Sequence, residues 1–77
     1  MRIGRVVSFA KLPLGALFRF TIDDVVKAIK AGSSIAGNYV KVDEDRFIDE
    51  YGRGDYVKAN KRKMVEYIGQ AETKGYT

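Results

Sequence analysis

Leu12-Pro13-Leu14-Gly15-Ala16-Leu17-Phe18-Arg19-Phe20 is the most apolar run of the chain and has the clearest turn-then-strand grammar. Pro13 fixes φ and Gly15 can adopt a positive φ, so the backbone can turn sharply before it extends. On the strand that follows, Ala16, Phe18 and Phe20 share one face while Leu17 and Arg19 share the other. We read this as the central core strand, with Phe18 buried, and the rest of the chain as arranged around it.

Upstream, Arg2 to Phe9 alternates imperfectly and is rich in β-branched residues, with Ile3 and Val7 on one face and Val6 on the other. That favours a first strand, followed by a loop from Ala10 to Gly15. Downstream, Thr21 is placed as an N-cap, Asp24 stands at the reciprocal capping-box position, and Asp23 with Asp24 suits the positive end of a helix. Ile22, Val25, Val26, Ala28 and Ile29 form an apolar stripe at helical spacing, and Gly32 can end the helix as a left-handed residue. A helix from Ile22 to Ala31 is predicted, its stripe read as core packing in preference to a partner-docking face. Ser33 to Asn38 is a turn-rich connector into Tyr39-Val40-Lys41-Val42, which alternates as a strand. Asp43 to Tyr51 reads two ways: Phe47, Ile48 and Tyr51 form one face of a helical turn, or Phe47 anchors a β excursion. Tyr56 to Ala59 and Met64 to Ile68 supply two more strands, the last closed by Gly69.

About five short strands with one or two short helices predict a mainly β, α+β fold, either a small curved antiparallel sheet or an SH3-like barrel. Residues 1–69 are read as a single domain, and 70–77, which lacks an apolar period, as a disordered tail.

The chain has 77 residues, near the lower size limit for independent folding, with no cysteine to staple it. Stability must come from packing of the nine Phe and Tyr residues or from self-association, so a homo-oligomer is one expected state. Histidine is also absent, which removes the usual general base near neutral pH and the commonest metal ligand. No apolar run approaches the roughly 20 residues that span a bilayer, and Met1 to Arg5 lacks a signal-peptide core. The expectation is a cytoplasmic protein without membrane contact, enzymatic activity or cofactor.

The net charge of +4 hides an asymmetry. Between Asp43 and Glu50 five carboxylates face only Arg46, giving −4, whereas thirteen basic and five acidic residues elsewhere give +8. Such a field attracts polyanions or an acidic protein surface. The acidic run is not a calcium loop, because its sixth position is Ile48 where glycine is needed and its twelfth is Gly54 where a bidentate glutamate is needed. Asp45 and Asp49 show no sign of the mismatched environments that acid/base catalysis needs. Gly52-Arg53-Gly54 lacks the strand-loop-helix context and following lysine of a phosphate loop, and is a turn.

The most suggestive pattern is alternation of aromatic and basic residues. Tyr39 with Lys41 and Tyr56 with Lys58 are expected on one exposed face, with Val40, Val42, Val57 and Ala59 on the apolar side. Rings that stack on bases and cations that neutralise phosphates are what nucleic-acid-binding sheets use. Arg19, Tyr39, Lys41, Tyr56 and Lys58, with Lys61, Arg62 and Lys63 at the rim, are therefore the candidate binding residues. The bland alternative is that the tyrosines shield core edges and the lysines confer solubility.

The Leu-Pro-x-Gly-x-x-Phe sequence at 12–18, with Tyr39-Val40-Lys41-Val42 and Met64-Val65-Glu66, resembles small phage- and prophage-encoded β-barrel proteins without assigned activity. In them a Leu-Pro-x-Gly turn opens a Phe-bearing strand that pairs with a Tyr-x-Lys strand, and here 21–35 looks like an insertion where they have a short hairpin. The resemblance implies a small barrel of viral or mobile-element origin and no catalytic residue. Two functions are expected from these observations: a non-enzymatic basic module that binds a host protein surface, or a nucleic-acid-binding sheet.

Overall fold

A computed structural model describes residues 1–70 as an open six-stranded antiparallel sheet with one helix. Strands β1 (Val6–Ser8), β2 (Ala16–Phe20), β3 (Tyr39–Asp43), β4 (Arg46–Asp49), β5 (Val57–Lys58) and β6 (Met64–Gln70) lie in the order β1-β6-β2-β3-β4-β5, and helix α1 spans Ile22–Lys30. The mainly β, α+β class expected from the sequence is present, as a sheet that does not close into a barrel.

The opening turn forms as its residues dictate. The Ala16 amide donates to Pro13 O at 3.1 Å and the Gly15 amide to Lys41 O at 2.8 Å, with Gly15 at φ +83°. The left-handed backbone calls for glycine, and a Cβ there would also press on the end of the Gln70 side chain, 3.0 Å away at Nε2. β2 is interior to the sheet, between β6 and β3. Phe18, fully buried, meets Phe9 and Phe47 edge-on at 5.5 Å and touches Phe20 and Tyr39. Val7, Leu12, Ala16, Val65 and Tyr67 complete this inner-face core.

Several boundaries move. The first strand shortens to Val6–Ser8: on one side the chain turns at Ile3–Gly4, the Arg5 amide donating to Arg2 O at 3.2 Å, and on the other it coils into a single 3₁₀ turn at Phe9–Lys11 that buries Phe9. The Asp43–Tyr51 ambiguity resolves into a sixth strand rather than a helical turn. Asp43 Oδ1 accepts the Asp45 amide at 3.2 Å and Asp43 Oδ2 accepts Arg46 Nε at 2.7 Å, which tightens the β3–β4 reversal. Phe47 is then carried into the aromatic core. The last strand runs past Gly69, and Gln70, expected in the tail, ends β6 and donates from Nε2 to Leu14 O at 3.0 Å. The remainder of the expected tail lies outside the described residues.

α1 forms within one residue of its predicted end. Thr21 caps it, accepting the Asp24 amide at 3.4 Å, and Gly32 follows at φ +82°. The capping box is not reciprocal, since Asp24 accepts the Thr21 hydroxyl at 3.0 Å and Lys63 Nζ at 2.7 Å. The reading of its stripe as core packing is corrected: no residue of α1 is buried, and Ile22, Val26 and Ile29 are 74%, 43% and 62% exposed.

Candidate interaction surface

The structure separates the predicted binding residues into three places. Tyr39 and Lys41 point inward, the reverse of the alternation expected for β3. Tyr39 opposes Phe18 across the β2–β3 pair and packs against Phe20 and Phe47, and its burial pushes the phenol above its usual pKa. Lys41 opposes Phe47 and is only 3% exposed. Its ammonium lies 4.8 Å from the Phe9 ring centre and donates to Phe9 O and Leu12 O, both at 2.9 Å, and to Ala10 O at 3.4 Å. The lysine thus ties together the carbonyls of Phe9, Ala10 and Leu12, of which Phe9 O also accepts the Leu12 amide at 3.1 Å, and its burial pushes the ammonium below the usual lysine range. It is a structural clamp on the 9–12 segment, unavailable to a phosphate.

The reversal has a physical reason. Val40, with cross-strand neighbours Leu17 and Ile48, lies on the outer face and is also buried, as is Ile48. Both faces of β3 therefore carry covered apolar groups, and alternation alone cannot choose the inner one.

Tyr56 and Lys58 are exposed at the β5 edge of the sheet. Arg46 is the cross-strand neighbour of Lys58, and its guanidinium carbon stands 5.4 Å from the Tyr56 ring centre. This guanidinium is also committed to Asp43, whose carboxyl the arginine holds below its ordinary range. Lys61 and Arg62 are exposed in the β5–β6 loop, while Lys63 is drawn to Asp24, tying α1 to that loop.

Arg19 belongs to a third place, the outer face of β1, β6 and β2. There Val6, Glu66 and Arg19 form one cross-strand row. Arg19 grips Glu66 in a two-nitrogen fork, with Nη2–Oε1 at 2.7 Å and Nε–Oε1 at 3.0 Å, and this holds the glutamate below its usual pKa. Beside the row the chain leaves β2, enters α1 and returns through Ala36–Asn38, enclosing a groove of about 650 Å³. Val6, Phe20, Ile22 and Val25 give it apolar walls, and Arg19 with Glu66 gives it a charged lip. Sequence reasoning found Arg19 but missed the groove. The available signal was the width of the α1 stripe: Ile22, Val25, Val26, Ala28 and Ile29 cover more of the helix than one side can bury against a sheet of this size.

Among the described residues no group of carboxylates is arranged to hold a metal ion, and no helix is long and apolar enough to cross a membrane. Comparison with protein-family models, with curated proteins and with solved structures gave no match.

Proposed function

We propose that this chain is a small, basic, non-enzymatic binding module that takes an apolar segment of a partner protein into the groove beside α1. The observation that carries the reading is the combination, at one place, of apolar walls and a charged lip, the chemistry that fixes both the burial and the orientation of a ligand side chain. The excess of positive charge outside residues 43–50 favours a partner with an acidic rim. The lack of histidine and cysteine supports a binding role over catalysis. The resemblance of the Leu-Pro-x-Gly-x-x-Phe and Tyr-x-Lys sequences to phage proteins supports a phage or mobile-element accessory factor that acts on a host protein in the host cytoplasm.

A nucleic-acid reading draws on a different observation, the exposed Tyr56 beside Arg46 and Lys58 at the β5 edge, with Lys61 and Arg62 nearby. It has lost Tyr39 and Lys41 to the core. Capture from a bacterial lysate with the parent chain and with Val6→Arg separates the two. Val6 is 48% exposed on an edge strand, so the variant should fold normally while filling the groove with charge. The protein-binding reading expects one stoichiometric partner retained at about 0.5 M salt, where surface charge attraction is screened, and lost with Val6→Arg. Equal capture by both chains would refute the groove. Recovery of only salt-labile oligonucleotides would favour the β5 edge.

A further inference from the structure

We propose that α1 is a self-association element, through which two copies of this chain pair their helices antiparallel about a two-fold axis near Val26. The helix presents two adjacent ridges. Ile22, Val26 and Ile29, spaced four and three residues apart, form an exposed apolar ridge. Asp23, Lys27 and Lys30, at the same spacing and one residue on, form a charged ridge along one flank of it. That flank runs from acidic to basic, and all three of its charges are exposed and outside the ion pairs formed among the described residues. Asp24, on the other side of the helix, is already taken by Lys63.

This distribution selects both partner and orientation. When two helices pack antiparallel, equivalent flanks meet each other, whereas in parallel packing opposite flanks meet. Antiparallel pairing therefore brings Ile22 of one copy against Ile29 of the other and Asp23 of each copy to Lys30 of its mate, twice by symmetry. Parallel pairing would set the charged flank against the side that carries Val25 and Asp24. The flank as a whole carries one acidic and two basic residues, but the two that meet across the axis, Asp23 and Lys30, are opposite in charge and cancel. A nine-residue helix is only about 13 Å long, so the interface falls below the standard size for stable complexes and the association is weak, with a Kd on the order of 10⁻⁴ M.

The test uses the protein alone, so it is independent of any groove ligand. Sedimentation equilibrium of the parent chain at physiological salt should show the mass-average rising from monomer toward dimer between about 10 µM and about 1 mM. Asp23→Lys and Lys30→Asp each place like charges across the two-fold axis, and each alone should weaken association roughly ten-fold or more. Mixing the two variants restores an attractive pair at both positions, and the equimolar mixture should form a heterodimer at least as tight as the parent dimer. Any effect of a substitution on helix stability is the same in the mixture as in the separate samples, so recovery on mixing reports the interface alone. A parent chain that stays monomeric at about 1 mM, or a mixture that associates no better than its components, overturns the proposal.

Discussion

Replacing Lys41 by methionine keeps most of the buried stem and removes the ammonium. Its two short bonds, to Phe9 O and Leu12 O at 2.9 Å, are charge-assisted, and the third, at 3.4 Å, contributes less. Two terms oppose each other in the variant. The desolvation cost of holding a cation in the core disappears, which alone would stabilise the fold. Against that, Leu12 O and the more weakly held Ala10 O lose this donor, at about 1–3 kcal/mol for each one left unsatisfied in a buried site, while Phe9 O keeps the Leu12 amide. The segment carries the buried side chains of Phe9 and Leu12, so it cannot swing into water without exposing them. The second term wins, and Lys41→Met should destabilise the protein by about 2–4 kcal/mol, much of the stability available to a domain of this size. Urea denaturation followed by far-ultraviolet circular dichroism should show the midpoint falling by roughly 2 M or more, given an m-value near the low end for small proteins. Lys58→Ala, at the exposed β5 edge, should stay within about 0.5 kcal/mol of the parent. If Lys41→Met melts with the Lys58→Ala control, the ammonium is not holding the turn and the inward register of β3 is wrong.

Phe18→Ala removes the fully buried centre of the aromatic cluster and should cost about 3–5 kcal/mol, enough to abolish a cooperative thermal melt. Tyr39→Ala, losing ring contacts with Phe18, Phe20 and Phe47, should destabilise by about 2–4 kcal/mol, whereas Tyr56→Ala should leave the melting curve within about 0.5 kcal/mol of the parent. The Asp24 carboxyl is held below its ordinary 3.8 chiefly by the hydrogen bond from Lys63. A depressed folded-state pKa gives stability that is present above the unfolded value and lost as the pH falls through the folded one. Asp24→Asn should therefore be less stable by about 0.5–1 kcal/mol above about pH 5, a modest figure because the Lys63 side chain is partly solvated, and denaturation at stepped pH should show the gap closing in acid below 3.8.

Local chemistry in the sequence was enough to locate the Pro13–Gly15 turn, the buried central Phe18, the Thr21 cap and the Gly32 stop, because each depends on residues adjacent in the chain. The positions that differed depend on partners distant in the chain. Lys41 looks like a surface residue until the 3₁₀ turn some thirty residues earlier presents three carbonyls to it. Val40 looks like the inward residue of β3 until Leu17 and Ile48 are found beside it on the covered outer face. The segment holding Arg46–Asp49 reads equally as a helical turn or a β excursion until the Asp43 turn folds it back beside β3. The α1 stripe is legible as a helix face, but whether a sheet covers it depends on how the helix leaves β2. Of the eight candidate binding residues, Tyr56, Lys58, Lys61 and Arg62 are exposed as expected, and Arg19 marks the groove while bound to Glu66. Lys63 is engaged by Asp24, and Tyr39 and Lys41 belong to the core.

The binding role is tested most directly by mapping amide chemical shifts of the ¹⁵N-labelled chain as the captured partner is added. Changes concentrated at Val6, Phe20, Thr21, Val25 and Gly37, and absent in Val6→Arg, are expected if the groove beside α1 receives the partner. Changes confined to Tyr56, Lys58, Lys61 and Arg62, with the groove unmoved, would contradict that role and transfer it to the β5 edge.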